Sequence, residues 1–227
     1  MQYRMLVGKD FTREFRTREM LMSMGLYAVL VIIVYGAALA LVARDIDILS
    51  MSGGLIWVLI VFTSILGLNR SFSYEREQSC IEGLLLAPVD RSVIFLAKAT
   101  TNFLFMMAVE IIVIPMFYFF FMTGVELSAS LGWIVAPLFF GTLGMAGVGT
   151  MLSTITAGTR SKDVMLAVLL IPLIYPLLQA CVTATTAAIT GAELWTDCFV
   201  VPLALAGGYD VIMLAVCWTL YDFVVSA

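Results

Sequence analysis

Residues 48 to 91 read "ILSMSGGLIWVLIVFTSILGLNRSFSYEREQSCIEGLLLAPVDR". The first 22 of them, Ile48 to Asn69, carry no charge, whereas the remainder holds four acids and three arginines. A charge-free run of about 20 residues is long enough to cross the ~30 Å hydrocarbon layer of a bilayer as a helix. The stretch therefore predicts a membrane-spanning helix followed by a charged segment outside the hydrocarbon.

The rest of the chain repeats this alternation of apolar runs and short charged segments. Of its 227 residues 62% are hydrophobic, and its mean hydropathy is +1.06. This composition is far too apolar for a water-soluble core and predicts one all-α polytopic membrane domain over residues 1–227. Six spans are predicted, near residues 21–42, 52–68, 97–122, 132–155, 164–188 and 203–225.

Two of these segments have an alternative interpretation. The "ALA" at 38–40 resembles a signal-peptide cleavage site, but a secretory apolar region is typically only ~7 to 15 residues long, so we favour an uncleaved first span. The "GGYD" at 207–210 allows the last helix to be shorter and to follow a re-entrant segment.

The positions of the basic residues predict the orientation of the chain. With six spans, only Arg44 of the twelve Lys and Arg residues falls on one side, and Lys98 is assigned to the segment between spans 2 and 3. Because basic loops stay in the cytoplasm, both termini are predicted to be cytoplasmic.

Several classes of chemistry lack support in the sequence. The chain has no histidine, which excludes histidine-ligated haem or zinc. No phosphate-binding GxxxxGK[ST] loop occurs, so a nucleotide would have to bind to another chain. The four cysteines form no CxxC pair, and no basic patch indicates nucleic-acid binding.

The charged segment between spans 2 and 3 is predicted to be a surface helix over residues 71–88, ending at Pro88. One interpretation is an interfacial helix that only lies on the bilayer. Its acidic residues disfavour an anionic lipid surface, however, and favour a protein partner such as an ATPase. The predicted coupling residues are Glu75, Arg76, Glu77, Glu82, Leu84, Leu85, Pro88, Asp90 and Arg91.

Residues 1–20 are predicted to form a second surface helix, an elbow on the cytoplasmic face. Phe11 and Phe15 are spaced to lie on one side of this helix, with charged residues between them. The alternative is a solvated leader that contributes only positive charge.

Three acidic residues fall within the predicted spans. Glu110 lies near the middle of span 3, where a carboxylate costs a few kcal/mol unless it is partnered or neutral. It is either a functional group or a protonated carboxyl bonded to a neighbouring helix, and spans 5 and 6 are the suggested partners. Asp210 and Asp222 lie nearer the predicted ends of span 6, where hydration is the simpler explanation.

Proline and glycine residues mark spans 5 and 4. Pro172 and Pro176 interrupt span 5 one turn apart, which indicates either a hinge or a packing feature. Gly141, Gly144, Gly147 and Gly149 in span 4 predict a small-residue face for close helix contact.

The sequence as a whole resembles a known family. "EREQSCIEGLLLAPVDRSVIFLAK" is similar to the cytoplasmic signature of ABC-2 type exporter permeases. The motifs "KDFTREFRTRE", "GLNRSFSYERE", "ITAGTRSKD", "PLIYPLL" and "YDVIMLAVCWTLYDFVV" together resemble the haem exporter protein B (CcmB) family, the permease subunit of the cytochrome c maturation system.

This resemblance implies a non-catalytic subunit whose complex uses ATP bound to a partner and handles haem without this chain binding it. The implied partners are an ABC ATPase, a membrane haem-handling subunit, a small membrane subunit, a periplasmic haem chaperone and a second copy of the chain. The implied role is to couple ATP hydrolysis to haem delivery or to release of the haem-loaded chaperone.

Two other functions compatible with the sequence are an ABC-2 permease for another hydrophobic or lipid-like substrate and a proton-coupled carrier that uses Glu110 and Asp210.

Overall fold

The computed structural model describes residues 2–42, 47–77, 91–122, 129–156, 162–191 and 197–226. In these ranges the chain is helical, which confirms the all-α prediction, and the fold has seven α-helices and one 3-10 helix. They are α1 (Gln2–Thr17), α2 (Glu19–Val42), α3 (Ile48–Glu77), α4 (Arg91–Phe121), the 3-10 helix Ala129–Ile134, α5 (Val135–Thr156), α6 (Lys162–Thr190) and α7 (Val200–Ser226).

Six segments are long and apolar enough to cross a membrane, in the predicted order. They are Glu19–Leu41, Ile48–Ser71, Arg91–Phe121, Gly132–Thr156, Val164–Thr190 and Val200–Val224. The alternative of a late start at "GGYD" is wrong, because α7 continues through Gly207 and Gly208 without a break. Glycine is tolerated there because an apolar environment offers no water to compete for the backbone hydrogen bonds of the helix.

Helix α1 is separated from the first span by a single residue. Arg18 has a φ of 55° and breaks the helix between Thr17 and Glu19. The backbone N–H of Leu21, in the first turn of α2, donates to Glu14 Oε1 at 2.9 Å. Asp10 and Glu14 are buried, so α1 packs on the bundle as an elbow and is not a fully solvated leader.

The predicted surface helix over 71–88 begins differently in the structure. Residues 71–77 continue the spanning helix α3, which is described as far as Glu77. No proline and no cluster of turn residues separates Asn69 from Glu77, so nothing stops the helix at the membrane boundary. Its 30 residues have a length of about 45 Å, more than the ~30 Å hydrocarbon layer, and its last turns therefore extend beyond that layer.

Helix α5 lies at the centre of the bundle and packs against α3, α4, α6 and α7. Its glycines permit these close approaches, as predicted, but they do not form one face. A Cβ on Gly141 would collide with Trp57 of α3, whereas a Cβ on Gly144 would collide with Asp210 of α7. Because helix residues are about 100° apart, Gly141 and Gly149 point to α3 and the other two point to α7.

Pro172 and Pro176 both lie inside α6, which continues through them. The hydroxyl of Tyr209 in α7 donates to the backbone oxygen of Leu173 at 2.8 Å, so α7 is hydrogen-bonded to α6 between the two prolines. The role of these prolines as a hinge stays a prediction.

Candidate functional site

The first four turns of α4, residues 91–105, make polar or aromatic contacts with at least three other helices, and we call this segment the α4 hub. It directly follows the predicted coupling segment in the sequence. Helices α1, α5 and α7 each make a polar or aromatic contact with it. A displacement at the start of α4 would therefore act on all three helices.

Helix α1 is attached to the hub by an ion pair. Lys98 Nζ lies 2.8 Å from Asp10 Oδ2, and the two side chains are only 7% and 8% exposed. The hydroxyl of Tyr3 donates to Thr100 Oγ1 at 3.0 Å, and the rings of Phe11 and Phe105 lie 4.9 Å apart.

The placement of Lys98 corrects the sequence interpretation, which put it in the segment between spans. It lies instead in the third turn of α4 and is buried. The described part of α4 already starts at Arg91, earlier than the predicted start near residue 97, and Asp10 neutralises the charge of the lysine inside the bundle. The positive charge is therefore held between α1 and α4.

Helix α7 is attached to the hub near its C-terminal end. Arg91 Nη1 donates to the backbone oxygen of Asp222 at 3.3 Å, and the rings of Phe95 and Tyr221 lie 5.2 Å apart. The side chain of Asp222 is exposed, and its hydration stays a prediction. Arg91 is thus one predicted coupling residue with a defined contact.

Three of the other predicted coupling residues lie at the described end of α3. The backbone of Glu75, Arg76 and Glu77 belongs to the last turns of α3. The remaining five lie outside the described residues: Glu82, Leu84, Leu85, Pro88 and Asp90.

Two hydrogen bonds connect α4 to the central helix α5 deep in the bundle. Asn102 Nδ2 donates to Thr150 Oγ1 at 2.9 Å, and Thr142 Oγ1 donates to Glu110 Oε1 at 2.6 Å. The two pairs are eight residues apart on each antiparallel helix, which corresponds to about 12 Å along the axis. Glu110 therefore bonds to a hydroxyl of span 4, and not to span 5 or 6 as suggested from the sequence.

Asp210 has a different environment from the one expected for it. It lies in the middle of α7, is only 2% exposed and packs against Gly144 and Leu177. Neither of its carboxylate oxygens has a hydrogen-bond partner among the described residues. The prediction of a hydrated residue near the end of the span is wrong, because α7 starts earlier than expected and Gly144 leaves room for the carboxyl.

Sequence reasoning missed the Asp10–Lys98 pair and the Asn102–Thr150 bond. For Asn102 and Lys98 the sequence showed only a polar residue inside an apolar helix. That pattern does not identify the residue with which the side chain forms its hydrogen bond or ion pair. Within the described part of the chain, no group of three or more Cys, Asp or Glu residues is placed to hold a metal ion.

Comparisons with known proteins agree with this architecture. Residues 1–220 match the family model described as "CcmB protein". A protein from Pseudomonas aeruginosa named heme exporter protein B is 26% identical over 124 residues. That match covers 55% of this chain and 54% of the relative, so the chain matches about half the length of that protein. Because the family model extends over nearly the whole sequence, this chain belongs to the CcmB protein family.

Proposed function

We propose that this chain is the permease subunit of an ABC transporter complex that serves cytochrome c maturation. In this proposal a separate ATPase subunit hydrolyses ATP, and the chain couples that hydrolysis to haem delivery or to release of a haem-loaded periplasmic chaperone. Family membership supports the choice, as does the name of the Pseudomonas aeruginosa relative, heme exporter protein B.

The observation that carries the mechanism is the α4 hub. Residues 71–88 are the proposed docking segment, and Arg91, the first described residue of α4, bonds to the backbone of α7. Force applied to the docking segment would reach α7 through Arg91 and Phe95, and would reach α1 through Lys98. A rigid helix with close contacts transmits such a displacement without requiring the docking segment to touch the distant helices.

The same movement would reach the other side of the membrane through α5. Asn102 and Glu110 each bond to a threonine of α5, so α4 and α5 are expected to shift together. Helix α5 in turn packs against α3, α6 and α7. In this mechanism the chain itself binds no haem, which fits a sequence that has no histidine to ligate iron.

A genetic experiment tests the proposal. Deleting the gene should abolish haem-stained cytochromes c, and the wild-type chain should restore them. Tagged wild-type chain should co-purify an ATPase subunit, and Glu82→Lys or Leu84→Asp should reduce that recovery while membrane insertion is unchanged. Arg44→Gln, at the basic residue predicted on the opposite side of the membrane, is the control.

Two outcomes would contradict it. Normal cytochromes c in the deletion strain would indicate an exporter of another hydrophobic or lipid-like substrate. Undiminished ATPase recovery with both coupling variants would remove the docking role of residues 71–88.

A proton-coupled carrier is a second candidate, favoured by the burial of Asp210 and Glu110. Buried carboxyls in spans often belong to proton pathways. This alternative predicts that an uncoupler abolishes transport and that loss of the ATPase has no effect, which is the reverse of the expectation for an ABC permease.

A further inference from the structure

A cleft of mixed charge lies between the elbow helix α1 and the adjoining ends of α2, α3 and α4. We call it the elbow cleft, and its lining includes Ser71, the first residue of the surface helix predicted over 71–88. Three acids and three bases line it, so its formal charges balance. They are Asp10, Glu14, Glu19, Arg13, Arg70 and Lys98.

Two residues that line the elbow cleft indicate its position relative to the membrane. Glu19 precedes the charge-free run of the first span, and Arg70 follows the charge-free run of the second. Both therefore mark the same boundary of the hydrocarbon layer. Met20 and Phe105 also line the cleft, and both are buried.

One buried acceptor in the elbow cleft is not satisfied. Asp10 Oδ2 pairs with Lys98, but Asp10 Oδ1 has no hydrogen-bond partner among the described residues, although the residue is only 7% exposed. A buried carboxylate oxygen without a donor is costly and indicates an additional donor in the native environment. The donor must enter through the cleft, because Asp10 belongs to its lining.

The size of the cleft limits the chemistry of this donor. Its cavity volume is about 30 Å³, enough for roughly two water-sized groups. A primary ammonium fits this space and offers three N–H donors, whereas a trimethylammonium is larger and has none. Because the charges of the cleft already balance, a ligand with one positive and one negative group preserves neutrality, which an isolated ion does not.

We infer that the elbow cleft binds the zwitterionic headgroup of a phosphatidylethanolamine molecule. The ammonium group lies inside the cavity, toward Asp10 and Glu19, and the phosphate lies outside it, at the exposed side chain of Arg70. Arginine suits the phosphate because its planar guanidinium forms paired hydrogen bonds to phosphate oxygens. The headgroup thereby lies at the joint between the elbow and the first spans.

The test compares lipids that differ only in the ammonium group. The full-length chain, purified in detergent with any subunits that accompany it, is mixed with dioctanoyl phosphatidylethanolamine or dioctanoyl phosphatidylcholine, and retained lipid is counted by native mass spectrometry. We expect phosphatidylethanolamine to be retained about tenfold more strongly, as one charged hydrogen bond implies. Equal retention would mean that water satisfies Asp10, and the inference would be wrong.

Variants of exposed residues locate the site without breaking the fold. Glu19→Gln should remove most of the preference, whereas Arg70→Gln should weaken retention of both lipids, because both carry the phosphate. Both wild-type residues are exposed. Lys9→Gln, an exposed neighbour of Asp10 outside the cleft lining, should leave the preference intact. Asp10→Asn should also reduce the preference for phosphatidylethanolamine. Because this change weakens the ion pair with Lys98, the melting temperature of the variant must be measured as well.

Three further results would overturn the inference. Stabilisation by soluble phosphoethanolamine equal to that by the lipid would show that the acyl chains contribute nothing and that the ligand is not a membrane lipid. Replacement of phosphatidylethanolamine by phosphatidylglycerol with no loss of retention would show simple anion binding. Unchanged lipid retention in Glu19→Gln and Arg70→Gln, together with reduced recovery of a soluble ATPase, would identify the cleft as a protein-docking surface.

Discussion

Asp10 and Lys98 form a buried ion pair that attaches the N-terminal helix to the third span, with Lys98 Nζ 2.8 Å from Asp10 Oδ2. The two residues are 88 positions apart in the sequence. A charge held away from water is tolerated only when an opposite charge and additional hydrogen bonds compensate its lost hydration. The position of α1 therefore depends on this contact.

We expect Lys98→Met to destabilise the protein more than a surface substitution does. Removing one partner of a buried pair typically costs about 3–5 kcal/mol, because the other charge stays buried. Asp10→Leu combined with Lys98→Met should recover much of the loss, since neither charge then remains. Thermal unfolding of the detergent-solubilised chain measures this, with Lys9→Met as the control; a wild-type melting temperature for Lys98→Met would contradict the expectation.

Adjacent glycines in α3 should respond differently to the same substitution. A Cβ on Gly53 would collide with Thr186 and lie 2.9 Å from the backbone oxygen of Val182, whereas a Cβ on Gly54 meets no atom within 4 Å. Gly53→Ala should therefore separate α3 from α6 and lower the melting temperature by several degrees. Gly54→Ala should be neutral or slightly stabilising; equal effects at both positions would show that α3 and α6 are not in close contact there.

The bond between Thr142 and Glu110 should depend on geometry and not on charge. Glu110→Gln keeps a carbonyl oxygen that accepts from the Thr142 hydroxyl, so stability should change by less than about 1 kcal/mol. Thr142→Val removes the donor and should cost about 1–3 kcal/mol, because the buried carboxyl is then unsatisfied. Unfolding measurements compare the two variants.

The same Glu110→Gln variant also distinguishes the functional proposals. An ABC permease in which Glu110 is structural should still support formation of holo-cytochromes c in the complemented deletion strain. A proton-coupled carrier would lose transport with Glu110→Gln although the protein remains folded, and that result would favour the second candidate.

Gly144 and Asp210 should show coupled effects. Gly144→Ala places a methyl group against Asp210 and Leu177, and overpacking of this kind typically costs about 1–3 kcal/mol. Asp210→Ala creates space for that methyl group, so the double variant should be more stable than the sum of the single effects predicts. Gly25→Ala is the control for helix propensity, because a Cβ at Gly25 meets no atom within 4 Å. Strictly additive effects of Gly144→Ala and Asp210→Ala would show that Gly144 and Asp210 are not in contact.

Sequence reasoning was most successful where composition alone determines the outcome. The six apolar runs predicted the order and approximate bounds of all six candidate spans. It was less successful at span ends, because a helix does not stop at the membrane boundary unless a residue breaks it. For this reason α3 continues to Glu77 and α4 begins at Arg91.

The sequence by itself determined the helical membrane class, the number of candidate spans and the family. Tertiary structure decided that α5 is central, that Lys98 pairs with Asp10 and that Asp210 is buried. The physical reason is that these spans are apolar on every side, so no periodic polar face distinguishes the side that meets protein from the side that meets lipid. Which polar residues become partners is settled only when the helices pack, because each buried donor or charge must then find its partner among the side chains brought next to it.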